Sequence, residues 1–292
     1  MKNRLKRKPI VGCMRWGVWG ENFTTQQYDT IIQQCLAIGL NVFDHADIYG
    51  HYTTEADFGN ALKGNSSLRD KMKIITKCGI NMLTPNRPNH NIKSYDASSG
   101  HIIKSVEQSL QNFHTDHIDT LLIHRPDILI NVEEVAEAIT SLKNSGKVIS
   151  FGVSNFTTSQ VAILNKYTPV EHHQVEISAT RLNAFEDGVL DQCQLENIEA
   201  QSWSPLGNGL LTEQNEKHER VLTTSAKLAE EYNCSVNQIL LAFLYAHPSN
   251  IVPVIGTTKF ERINEAKLAM DIELKREDFY KIWSASTGKE VA

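Results

Sequence analysis

Four residues spread along the first half of the chain, Asp44, Tyr49, Lys77 and His124, are of the types that reduction of a carbonyl group needs. Such a reaction takes a hydride donor and a proton donor for the oxygen that becomes negative. A tyrosine, with a free pKa near ~10, is a weak acid at neutrality, but a neighbouring cation favours its phenolate and lowers that value. Lys77 is a candidate for that cation, and Asp44 for the carboxylate that keeps it protonated in a partly buried site. His124 would donate a hydrogen bond to the substrate oxygen or to Tyr49. Each residue also has an ordinary reading: Asp44 and Lys77 as a structural ion pair, Tyr49 as a packed ring, His124 as a hydrogen-bonded core histidine. The residue types alone leave both readings open.

Their positions in the hydrophobic pattern carry more weight. Short apolar runs at Pro9 to Met14, Asn41 to Asp44, Lys73 to Lys77, Ile118 to His124, Val148 to Val153, His172 to Glu176, Ile198 to Trp203 and Ile251 to Ile255 read as buried strands. Between them apolar residues recur at helical spacing, as in Ile102, Ile103, Val106, Leu110 and Phe113, or Val132, Val135, Ile139 and Leu142. Thr24 with Gln27 forms a capping-box signature before one such helix, and Gly39 ends it. Strand alternating with helix predicts a parallel sheet. With no linker or composition shift to divide the alternation, the pattern predicts residues 1–292 to be one domain, a single (β/α)₈ TIM barrel in the α/β class. Polar residues then gather at the strand ends: Asp44, Lys77, His124, Ser154 with Asn155, Gln174 with Glu176, and Ser202 to Ser204. In a barrel those ends converge on one pocket. Two long polar stretches, Asn81 to Gly100 and Asn208 to Thr224, read as loops on that same face.

Composition removes several classes. A chain of 292 residues with 41% hydrophobic and 22% charged side chains can bury a large core. A net charge of −5 gives no basic face for nucleic acid or an anionic membrane. The five cysteines, Cys13, Cys35, Cys78, Cys193 and Cys234, are odd in number and widely spaced, which fits a reducing compartment and a cytoplasmic protein better than a disulfide framework. His172 and His173 are adjacent on a strand and face opposite sides, so they cannot chelate one ion, and no metal is expected. The sequence assigns no oligomeric state.

At these residues the chain resembles the aldo-keto reductase superfamily. Gly39-Leu40-Asn41-Val42-Phe43-Asp44-His45-Ala46-Asp47-Ile48-Tyr49-Gly50 matches its Asp-x-Ala-x-x-Tyr-Gly signature, followed in order by Ile75-Thr76-Lys77, Leu122-Ile123-His124 and Gly152-Val153-Ser154-Asn155-Phe156. The match continues through Gln174-Val175-Glu176, Trp203-Ser204-Pro205-Leu206-Gly207 and Ile255-Gly256-Thr257-Thr258-Lys259 to Arg262. The resemblance implies a barrel that uses NADPH to reduce aldehydes or ketones, with Asp44, Tyr49, Lys77 and His124 in the catalytic positions and Tyr49 as proton donor. It places Ser154, Asn155 and Gln174 on the nicotinamide carboxamide, Trp203 against the nicotinamide ring, and Ser204, Leu206 and Asn208 at the pyrophosphate. It sets Arg15 near the cofactor and Trp16 at the substrate mouth. His124-Arg125-Pro126-Asp127 is a variant associated with a bacterial branch of the family. A competing reading is a subunit that senses the cofactor with little turnover; a barrel lyase or isomerase acting without nicotinamide is another. Oxidation of NADPH across a carbonyl panel separates the first from an enzyme, and NADPH binding itself excludes the second.

The preference for NADPH over NADH rests on Gly256, Thr257, Thr258, Lys259 and Arg262. They follow the eighth strand and lead into a helix start, where backbone amides favour anions. In the resembling family a Ser or Thr and an Arg at the positions of Thr257 and Arg262 hold the adenosine 2′-phosphate. The lysine more common in the family falls at Gly256 here, with Lys259 as a substitute. A charge-assisted contact contributes about 1.5 to 3 kcal/mol, so Arg262→Ala should raise the NADPH Kd more than about tenfold. The NADH Kd, measured by the same titration, should change little; equal weakening of both cofactors would contradict the assignment.

Overall fold

The structure is a computed structural model describing residues 7–208 and 215–292. Eight barrel strands are present: β1 (Ile10–Gly12), β2 (Val42–Asp44), β3 (Lys73–Cys78), β4 (Ile118–Ile123), β5 (Val148–Ser154), β6 (His172–Glu176), β7 (Glu199–Trp203) and β8 (Val252–Ile255). They form a closed parallel barrel in which each strand neighbours those next to it in number. All eight lie where the apolar runs predict them, with no end shifted by more than two residues and His172–Glu176 coinciding at both ends. Strands covered on both faces need no alternation, and most of their residues are buried. Gly152 in β5 shows how tight the ladder is: a β-carbon there would lie 2.2 Å from the His172 carbonyl oxygen in β6.

The longer helices are α1 (Thr25–Ala37), α2 (Thr54–Gly64), α3 (Ser99–Phe113), α4 (Val132–Asn144), α5 (Thr158–Leu164), α6 (Val189–Glu196), α7 (Glu216–Glu231), α8 (Val236–Tyr245), α9 (Phe260–Leu268) and α10 (Arg276–Thr287). Their starts follow local chemistry. Thr24 and Gln27 form the expected capping box on α1; Thr157 with Gln160 and Ser235 with Gln238 do the same for α5 and α8. Gly39, at φ 77°, supplies the left-handed residue that ends α1.

By compactness the chain divides into two units. One comprises Ile10–Gln174 with Gly256–Phe260, and the other Val175–Ile255 with Glu261–Ala292 and residues 7–9. In the first unit α1, α2 and α3 pack an aromatic cluster against β2. Phe58 lies at its centre, with ring centroids 6.2 Å from Trp16, 6.2 Å from Tyr28, 5.5 Å from Phe43, 4.5 Å from His45 and 6.0 Å from Phe113. Burial among these rings pushes the His45 imidazole down to about 3, with the Lys77 charge adding to the effect, so it stays neutral.

Two expectations about loops are corrected. The polar stretch from Asn208 to Thr224 is not a loop throughout. Residues 209–214 lie outside the described residues, and α7 begins at Glu216, with the Asn215 side chain accepting from the His218 amide at 2.9 Å. Only Val221, Ser225, Leu228 and Ala229 in its later turns mark a strongly buried stripe, too sparse an apolar pattern to signal a helix within the polar run. The stretch from Asn81 to Gly100 contains a short antiparallel pair, Ile80–Asn81 with Ser94–Tyr95, and the first turn of α3, capped by Ser98.

Candidate active site

Lys77 sits in the middle of the site on β3, only 1% exposed, and each hydrogen of its ammonium has an acceptor. Nζ donates to Asp44 Oδ2 at 2.7 Å, to the His45 carbonyl oxygen at 2.8 Å and to Tyr49 Oη at 3.1 Å. Burial pulls the Lys77 pKa down, but the Asp44 charge, with Tyr49 and the hydrogen bonds to both, outweighs it and the net shift is upward. The ammonium is therefore permanently charged at neutral pH. Removing one partner of such a buried pair leaves an uncompensated charge and costs about 3–5 kcal/mol. Asp44 is held from its other side, because Gln174 Nε2 donates to Asp44 Oδ1 at 2.9 Å.

This arrangement orients the Tyr49 phenol. Its oxygen accepts from Lys77, so its own proton is directed away from the ammonium. The expectation from sequence that Lys77 lowers the phenol pKa is only half met. Burial is the larger effect and raises it, the Lys77 charge and hydrogen bond pull the other way, and the net shift is upward. The group stays a neutral, proton-carrying phenol.

His124 follows β4, with its ring edge-on to Tyr49 at a centroid distance of 6.1 Å and an interplanar angle of 79°. Its backbone amide is fixed to the Cys78 carbonyl oxygen at 2.8 Å. Desolvation, then the charges of Lys77 and Arg125, hold its pKa well below the usual histidine value. Asp127 ties down the loop beyond it, accepting from the Ala97 and Leu129 amides at 3.1 and 2.9 Å.

Ser154 ends β5 fully buried, and Asn155 follows in a left-handed conformation at φ 62°. The Asn155 amide nitrogen donates to Ser154 Oγ at 2.7 Å and the His124 carbonyl oxygen at 3.3 Å, and its backbone N–H donates to the Gln174 carbonyl at 3.0 Å. Thus Asp44, Tyr49, Lys77, His124, Ser154, Asn155 and Gln174 form one connected set within a single unit. Gly256, Thr257, Thr258 and Lys259 belong to that unit too, in the turn before α9; the Thr257 hydroxyl accepts from the Lys259 amide at 3.3 Å, and Arg262 is exposed on the first turn of α9. In the other unit Trp203 ends β7 half-buried, and Ser204 at φ 49° opens the turn to Asn208, with the Leu206 side chain packed on the apolar cluster of Leu241, Tyr245 and Ile255.

The sequence reading of Trp16 is corrected. Its side chain is 0% exposed inside the aromatic cluster and cannot line a mouth. Arg15 beside it is exposed. The tryptophan at the site is Trp19, which packs on Tyr49 at 6.1 Å and on His51 at 5.4 Å. Sequence reasoning missed it because both tryptophans stand in the same short loop. That loop is folded back by bonds from Glu21 to Arg15 and from Phe23 to Trp16, and the fold-back turns Trp16 inward.

Comparison with known proteins gives one consistent answer. The model described as Aldo/keto reductase family matches residues 10–286. The chain is 42% identical over 286 residues to the uncharacterized oxidoreductase YcsN of Bacillus subtilis, covering 97% of this chain and 95% of that one. It is 38% identical over 283 residues to 6-dehydroglucose reductase of Agrobacterium fabrum, covering 95% of each. Among solved structures, the thermostable aldo-keto reductase Tm1743 in complex with the inhibitor epalrestat superposes with a TM-score of 0.78 at 25% identity, covering 94% of each chain.

The depressed His124 pKa has a direct readout. The group's proton affinity is lowered, so its titration moves to acid, and the ring should remain neutral through the range in which a free histidine titrates. Imidazole ¹⁵N chemical shifts should show no His124 transition near the free value of about 6.5. A His124 midpoint between about 6 and 7 would contradict the buried environment described.

Proposed function

The chain belongs to the aldo/keto reductase family, and from that premise we propose that it reduces aldehydes or ketones to alcohols with NADPH, Tyr49 delivering the proton. The observation that carries the reading is the hydrogen-bonded line from Asp44 through Lys77 to Tyr49, whose one free direction is the phenol proton. Residues 1–292 are read as one domain, since the family match runs through both compact units. The free cysteines suit a reducing, cytoplasmic setting. His124-Arg125-Pro126-Asp127 is assigned to the bacterial variant of the family.

The donor set suits the cofactor. A carboxamide both donates and accepts, and Ser154 and Asn155 offer a hydroxyl and an amide beside Gln174. The family resemblance extends these contacts to Trp203, Ser204, Leu206, Asn208 and Arg15, and assigns the 2′-phosphate to Thr257, Lys259 and Arg262. When bound, NADPH supplies the hydride. The chain's own residues do the rest. His124, neutral, offers an N–H to the carbonyl oxygen and fixes its orientation. Tyr49 stands protonated at that oxygen as charge develops and gives up its proton, while the Lys77 ammonium stabilises the phenolate left behind. Asp44 and Gln174 keep Lys77 in place throughout. Trp19 sets an aromatic face beside Tyr49. The activity of the Agrobacterium relative makes carbonyl-bearing sugars the first compounds to assay, alongside simple aldehydes, ketones and quinones.

Tyr49→Phe removes the proton donor and leaves the Lys77 pair and the carboxamide contacts intact. In an NADPH-oxidation assay kcat should fall by about 10²-fold or more, with the NADPH Kd preserved. Near-normal kcat in the variant would overturn the role of Tyr49. Binding of NADPH without oxidation by the wild type over the whole panel would favour the sensing subunit.

A further inference from the structure

The residues just after Tyr49 take a conformation that needs outside support. Gly50, His51 and Tyr52 are successively left-handed, at φ 59°, 59° and 71°. Glycine adopts this freely, and here nothing larger fits, since a β-carbon on Gly50 would lie 2.4 Å from Thr54 Oγ1. His51 and Tyr52 adopt it only against the steric preference of L residues, so their surroundings must over-determine the turn.

Those surroundings concentrate on one side chain. The Tyr52 hydroxyl donates to the Ile80 carbonyl oxygen and accepts from the Met82 amide, both at 3.0 Å, so it spans the two-residue strand that leaves β3. The Arg87 guanidinium lies over its ring at 4.4 Å, and His90 meets the ring at 6.1 Å while its Nδ1 sits 3.1 Å from the Met82 carbonyl oxygen. Asn86 Nδ2 adds a bond to the His51 carbonyl oxygen at 2.8 Å. A cavity of about 380 Å³, lined by Tyr52, Asn86, Arg87 and His90 among others, opens on one side of this segment, while on the other the Tyr52 ring packs against the buried cluster of Ala46, Ile48, Tyr49 and Ile80, and the Thr53 hydroxyl donates to the Gly50 carbonyl oxygen at 2.8 Å. Within the turn, the Tyr49 amide donates to Ala46 and the Tyr49 carbonyl accepts from Thr53, which makes the orientation of the Tyr49 ring dependent on the backbone that Tyr52 holds.

We propose that Tyr52 is a positioning residue for Tyr49: its hydroxyl, anchored across residues 80–82, holds the left-handed turn that keeps Tyr49 Oη against Lys77 Nζ. The effect on turnover rests on the reading of Tyr49 as proton donor; the effect on geometry does not. Loss of the Tyr52 hydroxyl leaves the Ile80 carbonyl and Met82 amide without that partner and lets the turn relax toward ordinary backbone angles. Tyr49 then drifts from the ammonium. A small misplacement of a reacting group costs rate without altering cofactor contacts made elsewhere.

The test uses the full chain as Tyr52→Phe, which keeps the ring, and as Asn86→Ala, which removes an exposed side chain and one bond to the turn. Two readouts are taken: the ¹³Cζ resonance of Tyr49 at neutral pH, assigned with Tyr49→Phe, and kcat, KM and NADPH Kd in the carbonyl assay. In Tyr52→Phe the Tyr49 resonance should move toward that of an exposed tyrosine, and kcat should fall about tenfold with KM and NADPH Kd little changed. Asn86→Ala should move both in the same direction by less. An unmoved Tyr49 resonance in a folded Tyr52→Phe protein overturns the proposal, whatever happens to kcat. Should Tyr52→Phe not fold, an unmoved resonance in Asn86→Ala does so. If the wild type reduces no carbonyl, the proton-donor reading fails by itself and the resonance alone decides the positioning role.

Discussion

A lysine ammonium that is 1% exposed is the constraint on which the rest of the site depends. An isolated charge at that depth would shed its proton or stay hydrated. Here it keeps both its charge and its place because its three hydrogens meet a carboxylate, a backbone carbonyl and a phenol. Asp44 and Lys77 occupy the C-terminal ends of adjacent strands β2 and β3, so the parallel register brings them together without any long-range loop. The His45 carbonyl is the next residue of the same strand end. What the ammonium needs for burial is therefore what the barrel edge provides.

The same three acceptors convert a structural requirement into a chemical one. Because Lys77 donates to Tyr49, the phenol proton is directed away from the ammonium, and because burial raises the phenol pKa the group keeps that proton, as the proposed role of Tyr49 requires. The aromatic cluster behind the strand end, with Phe58 in contact with both His45 and Trp16, packs that side of the site with buried rings. Neutral His45 inside that cluster lends its carbonyl to Lys77 without placing a second cation beside it. On the other side, Gln174 and Asn155 extend the hydrogen-bonded set to β5 and β6.

Much of this was legible in the sequence, and the limits are instructive. The eight strands are readable because a doubly covered strand is a short apolar run, and a charged or polar residue at its end stands out, as Asp44, Lys77, His124, Ser154 and Gln174 do. Trp16 and Trp19 were not separable, because two identical residues in one loop differ only in which way the loop folds back. The part of α7 up to Thr224 falls in the polar run that reads as loop, since its first turn is nearly all polar, and its cap, Asn215, signals a start only once the buried stripe is known. The Tyr49 pKa depends on the balance of burial against the Lys77 charge, two opposing effects whose outcome no spacing reveals. The second hydrogen bond on Asp44, from Gln174 across 130 residues, is likewise a product of the closed strand order alone.

The most direct measurement of the central claim is the single-turnover rate of NADPH oxidation by Lys77→Met with a saturating carbonyl substrate. The substitution keeps the length and bulk of the side chain and removes the charge that faces Tyr49. If the ammonium organises and stabilises the phenol, the rate should fall by about 10²-fold or more while the NADPH Kd stays close to that of the wild type. A Lys77→Met protein that binds NADPH and oxidises it at the wild-type rate would contradict the account.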